Sequence, residues 1–431
     1  MRNRQLHFAL LAFAEEAAWQ LASDTAAGHE VPFEVVEARG ARRDRPLYCY
    51  RPLTADFIDQ RQSVIARLPT YLPAVHALSA VGGLEAYLQA RVSRGGVSGM
   101  RPRERAELAL RALLGQVFED SSDFALVPAR FEQAYADLEA IVHEGRTETV
   151  VVAPLLGLQL ESAEVAMGDG LALMRGDALD DAPADAVWPR GGGTPHVLAV
   201  LRWEAAAGDE APLEHARIRL GRLVTALRLY DPAGVGLGPA AWTRTAGGPW
   251  QVVVLGPGAA LGRPRAACPV TPAQEDELRA FCSLVGRRTP RGGELAWALR
   301  RFELGCTRER PEDGLTDHLL ALRALLEPEG PASGRLAGRL AAVCAEPEDR
   351  DALAERVRLA VAAERSVVTG VGLPPAEVVA ALAGDVESHA RAILRDVLCG
   401  HLDADVRAVA DALLRPVDAP QGTPAEAPVR F

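Results

Sequence analysis

Helical periodicity runs almost without interruption through the last third of the chain, and no other feature constrains the fold as strongly. Leu315, Leu319 and Leu322 stand at i, i+4 and i+7, a spacing that places them on one face of a helix. Short breaks divide the region into seven predicted helices, over residues 271–287, 292–305, 312–327, 332–345, 350–369, 374–399 and 402–414. Apolar-striped helices joined by short connections are typical of a helical bundle.

The first two thirds of the chain carry a mixed pattern. Helical spacing of apolar residues occurs at 5–23, 54–68, 83–93, 102–118, 128–143 and 212–229. Runs rich in β-forming residues occur at 31–36, 47–50, 147–152, 156–160, 171–174, 196–203 and 251–255. We therefore predict an α+β protein in four parts: a mainly helical region with a short β element (1–146), a mixed α+β unit (147–270), a helical bundle (271–415) and a disordered tail (416–431).

The charge composition excludes several functions. All 47 basic residues are arginine, and the chain contains no lysine. A Walker A loop and a Schiff-base enzyme both need a lysine, so neither is expected. The net charge of −11 argues against a protein that coats nucleic acid through bulk charge, because phosphate neutralisation requires clustered cations.

Metal and cofactor motifs are absent from the sequence. No two of the six cysteines form a CxxC, and the chain has no HExxH and no GxSxG. Gly256, Gly258 and Gly262 come near GxGxxG, but the last spacing is one residue too long and prolines follow, which indicates an ordinary loop. We therefore expect no metal site and no cofactor, and free thiols in a reducing cytosol.

The N-terminal residues read as an amphipathic helix rather than a signal peptide, because Glu15 and Glu16 interrupt the apolar run. No stretch reaches the length of apolar residues that a membrane span requires. The expected location is the cytoplasm, without membrane association.

Residues 294–401 carry a combination of motifs. The segments read ELAWALRRFELGC, LTDHLLALRALLE, GRLAGRLAAVC, RVRLAVAAERSVVTG and VESHARAILRDVL. This pattern resembles the Apea-like subgroup of the HEPN superfamily, a family of helical bundles. The matching positions are Phe302, Asp317, Leu322, Leu325, Leu326, Glu327, Arg339, Arg365, Ser366 and Gly370.

The resemblance implies an R-x(4–6)-H site for metal-independent RNA cleavage. In that family the histidine acts on the 2′-hydroxyl, the arginine stabilises phosphate charge, and two bundles pair so that their sites face each other. Here Arg365 and Ser366 are followed by Thr369 where the histidine is expected, and the spacing is one residue short. Threonine cannot accept a proton near neutral pH, and loss of a general base lowers rates by about 10²–10⁴-fold. We therefore expect an inactive bundle, or one with an unexpected base.

Arg395 and His401 form a second R-x5-H pair. The chain holds three pairs with an allowed spacing, about as many as nine histidines and 47 arginines give by chance. The pair stands at the end of the last long helix, and we keep it as the alternative catalytic pair. Residues 294–415 contain 15 arginines and 21 acidic residues, a net charge of −6 that disfavours RNA binding.

Several other polar and aromatic positions have structural interpretations. His389 lies on an apolar stripe and is expected in the core, and His318 cannot share a helix face with its neighbour Asp317. Asp403 is expected to cap the final helix, with Asp405 in its first turn. Trp203, Trp242 and Trp250 are expected in the core, with a shallow aromatic ligand site as the alternative.

Three functions remain open on the sequence. The first is a non-catalytic HEPN-like recognition or assembly protein, in phage defence or RNA regulation, that forms a homodimer through its bundle and binds RNA or protein through its first two thirds. The second is an endoribonuclease that combines Arg365 with a base from elsewhere. The third is an unrelated α+β scaffold that binds a small ligand or a protein. The sequence favours a protein that is not an enzyme.

Overall fold

A computed structural model describes residues 3–38, 47–91, 99–179, 182–189, 192–206, 212–245, 248, 250–255, 261, 264–372 and 374–415. The chain forms two compact units. The first unit comprises Met1–Leu220, Leu237–Gly256 and Pro269–Ala273, and the second comprises Gly221–Gly236, Pro257–Cys268 and Gln274–Phe431. The Gly256–Gly262 loop, the arginine-rich segment 39–46 and the predicted disordered tail 416–431 lie outside the described residues, apart from Leu261.

Seven helices open the first unit: α1 (Arg4–Ala26), α2 (Thr54–Gln60), α3 (Gln62–Ile65), α4 (Tyr71–Ser79), α5 (Leu84–Arg91), α6 (Pro102–Val117) and α7 (Pro128–Glu139). They bury one continuous apolar core that includes Phe13, Tyr87 and Phe131. Pro102 and Pro128 start their helices at a position where the missing N–H costs nothing. An antiparallel hairpin, β1 (Phe33–Ala38) and β2 (Leu47–Pro52), separates α1 from α2.

A π-helical turn (Ala140–Glu144) and Gly145, which has a φ of 62°, connect α7 to an antiparallel sheet. The sheet strands are β3 (Arg146–Leu156), β5 (Glu164–Gly168), β6 (Leu171–Arg175), β7 (Val197–Ala206), β8 (Gly236–Leu237), β9 (Ala241–Thr245) and β10 (Gln251–Val253); the short strands β4 (Leu158–Leu160) and β11 (Cys268–Val270) form a separate pair. Six of the strands run in the order β10-β9-β3-β7-β6-β5. The central strand β3 is buried on both faces from Thr149 to Leu155, which explains its unbroken apolar run.

Two helices complete the middle of the chain, α8 (Ala184–Val187) and α9 (Pro212–Tyr230). The first packs beside β3 and β7. The C-terminal part of α9 belongs to the second unit, where Ala226 and Leu229 join the core of the bundle.

The second unit is otherwise built from α10 (Glu275–Arg288), α11 (Gly293–Thr307), α12 (Pro311–Leu326), α13 (Leu336–Cys344), α14 (Arg350–Thr369), α15 (Ala376–Cys399) and α16 (Val406–Leu413). Helix α12 lies in the middle, where Leu315, Leu319 and Leu322 are completely buried. It packs against α11, α13, α14, α15 and α16. The predicted α+β class and the C-terminal helical region are confirmed.

Several elements lie outside the segments predicted from the sequence. No helix was predicted over Tyr71–Ser79 (α4), where Pro73 falls in the first turn, a position that tolerates proline. The short elements α8, β5, β8, β9 and β11 were also missed. The final helix is capped by Asp405 rather than Asp403: the Asp405 carboxylate accepts the Ala408 N–H at 3.0 Å.

Gly305 lets α11 and α12 approach each other closely. A Cβ at this position would lie 2.3 Å from Nε2 of His318, whose ring is buried and cannot move aside. We predict that Gly305→Ala lowers the free energy of unfolding by about 1–3 kcal/mol through overpacking.

The matched control for this prediction is Gly384→Ala in α15, where a Cβ would meet no atom within 4 Å. This change should stabilise the protein by roughly 0.5–1 kcal/mol, because alanine loses less backbone entropy in a helix. Urea unfolding of both variants measures the contrast. Equal effects of the two substitutions would show that the close approach is not required.

Candidate functional site

Arg365 lies one turn before the end of α14, and its side chain is exposed. No side-chain hydrogen bond or ion pair joins it to another described residue. The Thr369 hydroxyl donates to the Arg365 carbonyl oxygen at 2.8 Å, and Gly370 ends the helix with a φ of 68°. Ser366 is half-buried between them. The Thr369 hydroxyl, at the position where a histidine is expected, is therefore already hydrogen-bonded to carbonyl oxygens of the last turn of α14.

The second unit contains three histidines, His318, His389 and His401. The Arg356–Asp385 ion pair sets the antiparallel register of α14 and α15, and this register brings Arg365 level with the start of α15. At a rise of 1.5 Å per residue, His389 then lies roughly 20 Å from Arg365 along the helix, and His401 roughly 35 Å. Neither histidine can act with Arg365 within one copy of the bundle.

Arg395 and His401 stand at the other end of α15, and both are exposed. The Arg395 guanidinium is directed to the neighbouring Asp396 carboxylate, with 3.4 Å between Nε and Oδ1. The backbone N–H of His401 donates to the Asp396 carbonyl oxygen at 2.8 Å. The helix end brings the two residues near each other in the chain, but no hydrogen bond or ion pair joins their side chains.

His318 is buried, with its ring 5.6 Å from the Phe302 ring and Nε2 4.0 Å from Sγ of Cys306. Burial lowers the pKa of His318 to about 4 and raises the pKa of Cys306 to about 12. Both groups are neutral near pH 7, so the pair supplies neither a thiolate nor an imidazolium. His389 is half-buried, and burial lowers its pKa as well.

The remaining motif positions are structural. Asp317 is buried and pairs with Arg301 at 3.1 Å and with Arg308 at 2.6 Å, directed away from its neighbour His318. The buried Glu327 carboxylate accepts the Arg335 and Leu336 N–H groups at the start of α13. Glu327 accepts free N–H groups at a helix start, and Asp317 joins α12 to arginines of α11 and the loop after it. Both side chains therefore have structural roles rather than catalytic ones.

Arg339 is the most heavily bonded of the motif positions. Its guanidinium donates to the Leu326 carbonyl oxygen at 2.7 Å, to Glu329 at 2.9 Å and to Asp411 at 2.8 Å. The hydrogen bond between Arg339 and Glu329 lowers the pKa of the Glu329 carboxyl group to about 2. Arg339 is only 1% exposed, so the residue cannot contact a ligand.

Arg228 forms a second buried cluster in the same unit. It donates to the carbonyl oxygens of Val235 at 2.9 Å and Leu261 at 2.6 Å. Arg391 donates to the Arg228 carbonyl oxygen at 2.9 Å and to the buried Glu387 carboxylate. The cluster anchors the end of α9 on α15.

The first unit contains a polar cleft of about 920 Å³ that the sequence did not reveal. Its charged lining residues are Arg51, Glu119, Asp120, Arg130, Asp137, Glu144, Arg146, Glu148, Glu204 and Arg244. Trp250 lies in its wall, half-buried, with the Arg244 guanidinium 4.5 Å from the ring centroid. Trp242 is buried as expected, and Trp203 is half-buried beside His215.

Comparison with known proteins gave no match: no family model, no curated protein and no solved structure matches the chain. Within the part of the chain that the structure describes, no three histidine, cysteine, aspartate or glutamate side chains converge as metal ligands. No described helix is long and apolar enough to cross a membrane.

His318 should make the protein less stable in mild acid. Its pKa is about 4 when folded and about 6.5 when unfolded, so the unfolded chain binds the proton first as the pH falls. The free energy of unfolding should decrease by up to about 3 kcal/mol between pH 6.5 and pH 4 from this residue alone.

His318→Gln removes the titrating group and should flatten this part of the profile, and His401→Gln at an exposed position is the matched control. Urea unfolding of the unmodified protein and both variants is measured at several pH values. The carboxylates titrate in all three proteins, so a difference between the profiles reports the substituted histidine. Parallel profiles for His318→Gln and the unmodified protein would contradict the assignment.

Proposed function

We propose that the chain is a non-catalytic HEPN-like recognition and assembly protein. The observation that carries this proposal is the environment of Arg365. The arginine is exposed, the Thr369 hydroxyl at the expected histidine position is hydrogen-bonded within its own helix, and the histidines of the same unit lie far along α15 or in the core. A role in phage defence or RNA regulation follows from the family resemblance alone.

The exposed face of α14 supports assembly of two bundles. Leu359 is 51% exposed in the middle of this face, and Ala362 lies beside it. Asp351 and Glu355 stand towards the N-terminal end of the face and Arg365 stands towards its C-terminal end. Arg358 lies beside Leu359 and pairs with Glu355 at 2.8 Å; all four side chains are exposed. The face is therefore acidic at one end and basic at the other, with a small apolar centre.

Such a face is complementary to itself. When two copies of α14 pack antiparallel about a two-fold axis, each acidic half lies opposite the basic half of the other copy. Centred between Leu359 and Ala362, this arrangement places Arg365 opposite the partner's Glu355. Arg365 is then a dimer contact and not a phosphate ligand.

The chain should not cleave RNA. We expect a fluorescently labelled single-stranded RNA to remain intact with the purified protein in a buffer that contains a metal chelator, because no general base accompanies Arg365. Denaturing gels measure the outcome, with Arg365→Ala and His401→Ala beside the unmodified protein. Cleavage that Arg365→Ala abolishes would overturn the proposal in favour of a ribonuclease, and cleavage that His401→Ala abolishes would assign the Arg395/His401 pair.

Charge reversal on α14 tests the assembly. Arg365→Glu should weaken the dimer about tenfold, because two exposed ion pairs become repulsive and each such pair contributes roughly 0.2–1 kcal/mol. Glu355→Arg should weaken it similarly, and the double variant should recover affinity by restoring opposite charges.

Sedimentation equilibrium measures these dimer affinities. Arg395→Glu on α15 serves as the matched control, since it reverses another exposed arginine outside this face. A monomeric unmodified protein, or a double variant weaker than both single variants, would rule out this pairing.

A further inference from the structure

The cleft of the first unit has two opposed walls. On one side, Arg130, Gln133, Asp137, Ile141 and Glu144 follow one another along α7 and its π-helical turn at helical spacing, so they form a single stripe. The ends of β3, β7 and β9 form the other wall. A volume of about 920 Å³ is at the upper end of the range for ligand pockets.

The arginines in these walls are already engaged. Arg51 pairs with Asp120 at 2.9 Å, and Arg146 pairs with Glu204 at 2.8 Å. Arg130 donates to the Glu119 carbonyl oxygen at 2.9 Å, and Arg244 lies over the Trp250 ring. An anionic ligand would have to displace one of these contacts.

The walls of the cleft carry more negative than positive charge. The walls contain six carboxylates and four guanidinium groups. Glu148 on β3 lies directly opposite Glu204 on β7, so the two side chains point to the same face of the sheet. Arg146 pairs with Glu204, while Glu148 is exposed and has no hydrogen bond or ion pair to another described side chain. Like charges in directly opposite positions destabilise a sheet.

The cleft also contains an acceptor without a donor. Gln116 lines it and donates its amide N–H to Asp137 at 2.7 Å, but its side-chain oxygen is buried and has no hydrogen-bond partner among the described residues. A buried acceptor without a partner favours a ligand that brings N–H donors. Trp250 adds an apolar surface, and tryptophan is the aromatic residue that best accommodates the stem and charge of a basic side chain.

We propose that this cleft binds a basic peptide segment, with an arginine or lysine side chain placed between Glu148 and Glu204. Guanidinium and ammonium groups supply additional N–H donors and offset the net negative charge of the walls, and they relieve the repulsion between Glu148 and Glu204. RNA would instead bring phosphates to walls of net negative charge. The proposal gives the recognition role a chemical class of partner, and it concerns the first unit alone.

The test uses the full chain and a fluorescein-labelled peptide with three arginines spaced by glycine and serine. The control peptide carries citrulline, the neutral isostere, in place of each arginine. Fluorescence anisotropy should show binding of the arginine peptide that weakens with added salt, and no binding of the citrulline peptide. A labelled single-stranded RNA measured beside them should not bind.

Three glutamate substitutions locate the site. Glu148→Gln and Glu204→Gln should each weaken peptide binding about tenfold, because each removes one carboxylate from the cation. Glu164→Gln on β5 is the matched control, since it removes the same charge from an exposed position of the same sheet outside the cleft. Glu148→Gln should also raise the melting temperature by roughly 1–3 °C by ending the repulsion, which shows that the weaker binding does not come from unfolding.

Equal losses of peptide affinity for Glu148→Gln and Glu164→Gln would show that the peptide is attracted by the overall negative charge of the chain, and this result would overturn the proposal. Tight binding of the citrulline peptide or of the RNA, or no binding of the arginine peptide, would overturn it as well. The assay is separate from the RNA-cleavage test, so a failure here leaves the non-catalytic assignment standing, and cleavage there leaves the peptide site standing.

Discussion

Buried guanidinium groups hold the second unit together. A chain without lysine can bury a cation only as arginine, and the planar guanidinium reaches several acceptors at once, as a lysine ammonium on one flexible stem cannot. Arg228 joins carbonyl groups from two loops, and Arg339 joins a helix end to two carboxylates. Removing either would leave a buried carbonyl oxygen unpaired, Leu326 for Arg339 and Val235 for Arg228, and an unpaired buried acceptor costs more than its hydrogen bond contributes.

Several residues that carry the family resemblance serve as buried structural contacts rather than as accessible groups. The positions that make residues 294–401 look like an Apea-like HEPN domain include Asp317, Glu327 and Arg339, and each of them is buried and satisfied by the chain itself. They select a bundle architecture without supplying chemistry. Arg365 is the exposed charged position of the motif, and a hydroxyl bonded to its own helix stands where the base would be. These side chains therefore serve the packing of the bundle, and the proposed assembly rests on the exposed face of α14.

The two units differ in the charge of their accessible surfaces. In the second unit the exposed face of α14 is acidic at its N-terminal end and basic at its C-terminal end, a pattern that suits another copy of the same helix. In the first unit the cleft keeps its arginines paired and leaves Glu148 exposed opposite Glu204, a pattern that suits a basic partner. Both proposed interactions use charge at accessible positions, and added salt would weaken both of them.

The sequence by itself determined the features that depend on neighbours along the chain. Apolar spacing located the seven helices of the bundle, and the absence of lysine excluded two chemistries. Tertiary structure alone decided which distant residues meet. It placed Arg365 of α14 level with the start of α15 and His401 just after the end of α15. It also aligned Glu148 with Glu204 through strand register and brought Arg51 and Arg130 to one cleft. The reason is physical: helical periodicity is a local property, whereas strand register and helix packing arise from contacts between segments far apart in the chain.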